Sequence, residues 1–103
     1  LDKSTNTTVN THFPTLEYTS EGRGGYVFYL EKEIRIAFEW EIAAGNAVAI
    51  IYIPKEEYWE SRTKTAVGRR AEILEFVANE TLAKQAKGGR FEIDADSITL
   101  FRD

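Results

Sequence analysis

The sequence predicts an α+β fold: an antiparallel β-meander of three to four strands, completed by a C-terminal strand or hairpin and packed on one main α-helix that a short helix precedes. Three observations carry this. Ile34, Ile36, Phe38, Trp40 and Ile42 alternate with Glu33, Arg35, Ala37, Glu39 and Glu41, the period of two that marks a half-buried strand. Residues 66–86 show the helical period and stop at Gly88-Gly89. Alternation returns in residues 90–101, and strands followed by a helix followed by strands read as α+β. At 103 residues and 43% apolar content the chain suffices for one core.

Residues 1–13 are rich in Ser, Thr and Asn and lack periodicity, so they read as a flexible polar tail ahead of a single domain spanning residues 14–103. Methionine is absent and Leu1 opens the chain, as expected where a leader, a tag or a longer precursor has been cleaved. Thr15 to Thr19 form a short strand with Leu16 and Tyr18 on one side, and Glu21-Gly22-Arg23-Gly24-Gly25 make a hairpin turn. Those glycines match neither phosphate-binding pattern and precede a strand instead of a helix.

The runs Tyr26–Leu30 and Ala47–Ile53 are apolar on both faces, so turn length must set their registers. A three-residue loop at Glu31-Lys32-Glu33 pairs Leu30 with Ile34, Phe28 with Ile36 and Tyr26 with Phe38. A four-residue loop at Ala43-Ala44-Gly45-Asn46 pairs Trp40 with Ala49, Phe38 with Ile51 and Ile36 with Ile53. Pro54, Glu56 and Glu57 suit a helix start, giving a short helix over residues 55–62. In the main helix Val67, Ala71, Leu74, Val77, Ala78 and Thr81 share the core stripe, with Phe76 nearly opposite and Ile73 on the second side. The final strands flank a turn at Asp94-Ala95-Asp96-Ser97.

The composition excludes whole classes of chemistry. With no cysteine and only His12 for a histidine, the chain offers no thiolate, disulfide, Cys-ligated cluster or paired-His metal site. Thirteen Lys plus Arg against seventeen Asp plus Glu lack the basic surplus that binds phosphate backbones. No apolar run approaches the length of a bilayer span. We therefore expect no cofactor, metal, nucleic acid or membrane among the partners, while the compartment stays open. Glu33, Glu39 and Glu41 share the polar side of one strand, which points to a solvated face in preference to an acid–base pair. Asp94 and Asp96 lack the spacing of a calcium loop.

What the expected core leaves over is aromatic. In the registers above, the sheet face away from the helix carries Val27, Tyr29, Ala37, Val48, Ile50 and Tyr52, too apolar for plain solvent. The reading that follows is a non-enzymatic protein-interaction or regulatory domain, binding a protein partner or a second copy through Tyr29, Ile50, Tyr52, Tyr58, Trp59, Ile73 and Phe76. The alternative is a small-ligand site between sheet and helix lined by Trp40, Tyr52, Tyr58 and Trp59. A basic cluster of Arg62, Lys64, Arg69 and Arg70 suits an anion or an acidic partner, or ordinary salt bridges to Glu72 and Glu75.

Overall fold

The alternating and apolar runs become six strands: β1 (Thr15–Tyr18), β2 (Gly24–Glu31), β3 (Ile34–Ile42), β4 (Ala47–Tyr52), β5 (Arg90–Ile93) and β6 (Ser97–Phe101). In this computed structural model, which describes residues 13–102, they form one antiparallel sheet in the order β1-β2-β3-β4-β6-β5. The meander β1 to β4 and the β5–β6 hairpin thus belong to a single sheet, with β6 seated beside β4. The expected polar tail, His12 included, lies outside the described residues except for Phe13.

Two registers differ from expectation. β2 and β3 join through a turn of only Lys32 and Glu33, so that Glu31 opposes Ile34, Tyr29 opposes Ile36 and Val27 opposes Phe38. A one-residue slip moves every side chain to the other face. Val27 and Tyr29 therefore enter the core at 1% and 2% exposure, while Tyr26 stands 46% exposed on the outside. Short hairpin turns need left-handed backbone to match strand twist, and Lys32 supplies it with φ 52°. The neighbouring strand agrees, since β1 sets Leu16 against Tyr29 and Tyr18 against Val27.

Between β3 and β4 the turn tightens around Gly45 (φ 71°) and Asn46, closed by the Ala47 N–H to the Ala44 carbonyl at 3.3 Å. Trp40 consequently opposes Ile51 and Ile42 opposes Ala49. This slip is of two residues, so Ala49 and Ile51 stay inward and Ile50 and Tyr52 outward as the pattern predicts, whereas Val48, expected outside, turns inward where the pairing with β6 shifts.

After Pro54 a 3₁₀ turn (Glu56–Tyr58) leads into α1 (Trp59–Thr63), and a second 3₁₀ turn (Val67–Arg69) leads into α2 (Arg70–Gln85). The inward stripe of α2 is Ile73, Leu74, Val77, Ala78 and Thr81. Val67 and Ala71, expected there, are exposed. Val67 sits in the 3₁₀ turn before Arg70, where the 3.6-residue period does not hold, while Leu74, Val77, Ala78 and Thr81 face inward as expected. Ile73 widens the stripe and is fully buried, and Phe76 flanks it, edge-on to Tyr29 at 5.8 Å. Trp59 closes this layer. It is fully buried, stacks on Phe38 at 6.3 Å between ring centroids, and donates its indole N–H to the Ala66 carbonyl at 3.2 Å. Ile98 and Leu100 of β6 complete the same core.

Candidate functional site

Helices cover one face of the sheet, and the flipped register of β2 decides what the other face presents. Strand parity places Tyr26, Phe28 and Leu30 of β2 outside, beside Arg35, Ala37, Glu39 and Glu41 of β3. Ile50 and Tyr52 of β4 continue this surface, followed by Thr99 and Phe101 of β6. Tyr26 and Phe28 stack at 5.9 Å, and the Arg35 guanidinium lies 4.5 Å from the Phe28 ring centroid. On the far side Arg90 sits 4.2 Å above Phe101 and pairs with Glu92 at 2.9 Å. The Tyr52 hydroxyl donates to Glu41 at 2.8 Å, which pushes its pKa up. On the strands Glu17, Glu39, Glu41 and Glu92 outnumber Arg35 and Arg90, and at the β1–β2 turn Glu21 and Arg23 border the face as one charge of each sign, so the surface is aromatic and net acidic.

The expected interface set does not form one surface. Ile50 and Tyr52 lie on the outer face, and Tyr58 is 50% exposed on the helical side with Arg62 6.0 Å from its ring. Tyr29, Trp59 and Ile73 are buried and belong to the core, and Phe76 is half-buried against Tyr29. The register of β2 accounts for Tyr29, a core stripe of α2 wider than expected accounts for Ile73 and Phe76, and Trp59 of α1 turns inward onto Phe38. Tyr26, Phe28, Leu30 and Phe101 are the outer-face residues that the sequence reading missed. The turn-forming length of Lys32-Glu33 is the signal that finds the first three.

The aromatic quartet expected around a ligand is dispersed as well. Trp59 is in the core, Tyr52 is on the outer face, Tyr58 is on the helical surface, and Trp40 alone borders a cavity. That cavity, about 320 Å³, lies on the inner side between the C-terminal half of α2 and strands β1 to β4. Buried Val27, Ala49, Ile51 and Thr81 line its depth, while exposed Thr19, Ser20, Ile42 and Gln85 border it towards solvent.

The basic cluster serves the fold instead of converging on a ligand. Arg69 bonds Glu72 at 2.7 Å and Glu31 at 3.0 Å, and these contacts raise its pKa. Arg70 donates to the Pro54 and Ala95 carbonyls at 2.9 and 3.0 Å. Lys64 donates to the Ser61 carbonyl at 3.1 Å, capping its own helix turn. Glu31 also accepts the Tyr29 hydroxyl at 2.5 Å, and that bond, with Arg69 second, holds its carboxyl below the usual range. Burial first and Glu31 second push the Tyr29 phenol to about 12.

Among the described residues no group of His, Cys, Asp or Glu side chains is placed to hold a metal ion, and no helix is long and apolar enough to cross a membrane. Comparison with protein-family models, curated proteins and solved structures gives no match to this chain.

Proposed function

We propose that the chain is a non-enzymatic protein-interaction domain that docks a partner on the outer face of its sheet. The observation that supports this most is the coexistence on that face of exposed rings with a carboxylate surplus: Tyr26 and Tyr52 are 46% and 41% exposed, flanked by Glu39 and Glu41. Aromatic anchors of this kind dominate interface energetics when a partner excludes water from them. Charge selects the partner. Two copies of a net acidic face repel, whereas a segment bearing Arg or Lys beside apolar residues satisfies both the carboxylates and the rings. The occupant proposed is therefore a basic, partly apolar segment of another protein.

The test is selection from a peptide library sorted by charge, run on the wild-type chain and on Phe28→Ala/Tyr52→Ala. Enrichment of basic peptides, lost in the double variant while it still unfolds cooperatively well above the assay temperature, supports the proposal. No enrichment, or enrichment of acidic peptides, sinks it. Light scattering over a range of concentrations decides the other occupant: a dimer broken by the same double variant assigns the face to a second copy and overturns the basic partner.

A further inference from the structure

We infer that the inner cavity is a binding site for a small, uncharged, mainly apolar molecule carrying a single polar group. Its volume of about 320 Å³ falls at the small end of ligand pockets, enough for one substituted aromatic ring. The space exists because small side chains meet across it. Ala49 on β4 and Thr81 on α2 line it where larger residues would let helix and sheet close. The sheet is also adapted locally: the pairing of β4 with β6 shifts between Ala47 and Ala49, a bulge of the kind that re-aims side chains beside sites, and Val48 lines the cavity. Trp40 provides a fixed wall, its indole N–H anchored on the Thr19 carbonyl at 3.0 Å.

Lining chemistry sets the ligand class. Among the described residues no Asp, Glu, Lys, Arg or His borders the cavity, so these walls offer a charged ligand nothing to replace its hydration. Polar groups are confined to hydroxyls and one amide. The Tyr18 hydroxyl and Thr81 Oγ1, 3.1 Å apart, share one hydrogen bond and keep spare donor and acceptor capacity. Gln85 and Ser20 add neutral partners. This suits a phenol, an alcohol or a ketone on an apolar body. The site is independent of the outer face, since it opens on the opposite side of the sheet.

The chain's two indoles make the test internally controlled, because Trp40 borders the cavity and Trp59 is sealed in the core against Phe38. The isotope-labelled chain is titrated with p-cresol, and separately with benzoate of similar size, while amide and indole N–H resonances are followed. Expected is a saturable shift of the Trp40 indole and of the Thr81 and Gln85 amides with p-cresol, a still Trp59 indole, and at least tenfold weaker binding of benzoate. Absence of a saturable p-cresol shift overturns the inference, as does equal binding of benzoate or an equal response of Trp59. Val48→Phe, which fills the space, is expected to weaken p-cresol at least tenfold, and unchanged affinity in that folded variant would also overturn it. Should Val48→Phe not fold, the wild-type comparison of p-cresol with benzoate decides alone.

Discussion

The two faces of the sheet are built from nearly the same kinds of residue and have opposite fates. Inside, Val27, Tyr29, Phe38 and Ile51 are 0–2% exposed beneath Leu74 and Val77. Outside, Tyr26 and Tyr52 remain more than two-fifths exposed, and Phe28 shares its ring with Tyr26 and Arg35. Apolarity alone thus does not say which face is core. Inner rings find close-packed carbon, whereas outer rings find each other and guanidinium groups and stay partly open to solvent.

Substitution tests that contrast most strongly. Phe38→Ala removes a ring packed on Trp59 and is expected to cost about 3–5 kcal/mol in urea unfolding. Phe28→Ala, the same chemical change on the outer face, should cost about 1 kcal/mol or less, the scale of an exposed cation–π contact. Equal costs would break the distinction between the faces.

Next in size is the charged rim of the inner layer. Arg69→Ala strips Glu31 and Glu72 of their guanidinium. Screened by solvent, the loss of the Glu31 pair is expected to cost about 1 kcal/mol or less by chemical denaturation. The buried phenol beside it adds a pH signature. Because the Tyr29 pKa is raised from 10.0 to about 12, its contribution is whole below the unfolded value and disappears as pH rises through the folded one. Melting temperature should therefore fall between pH 10 and about pH 12, with Tyr18 and Tyr52 shifted in the same direction. Tyr29→Phe should flatten that fall. Glu31, with its pKa lowered, acts at the other end, stabilising above the ordinary carboxylate range and ceasing to do so as pH drops below it.

The register itself can be sharpened. Lys32 carries a left-handed backbone at φ 52°, so Lys32→Gly is expected to raise stability by up to about 1 kcal/mol in thermal unfolding. A destabilised variant would argue against the turn that flips β2. Smallest of all, Tyr52→Phe deletes an exposed hydrogen bond to Glu41 and should leave the melting temperature at neutral pH almost unmoved, while flattening a little of the alkaline loss.

How much of this was legible depends on how the two sides of each segment differ. β3 reads correctly from sequence because Ile36 and Phe38 face Glu39 and Arg35 across its pleat, a contrast that no register can hide. The Asp94–Ser97 turn and the stop at Gly88 are equally local, the latter confirmed by φ 89° at that glycine. β2 has no such contrast, since Tyr26, Phe28 and Leu30 are as apolar as Val27 and Tyr29. Ile73 and Phe76 are both placed off the stripe by the helical period, yet the sheet is broad enough to bury Ile73 and half-bury Phe76 against Tyr29.

By itself, then, the sequence determines the α+β class, the order of elements, the faces of β3 and of β4 from Ala49 on, and the expected lack of thiol chemistry. Only the tertiary structure decides which side of β2 is inside, which rings are left on the open face, and where a hollow remains beneath α2. Periodicity reports the difference between two faces, and where both are apolar that difference vanishes. The choice then falls to contacts distant in sequence: the twist of a two-residue turn, β1 pairing Leu16 with Tyr29, and Phe76 meeting Tyr29 across the helix–sheet layer.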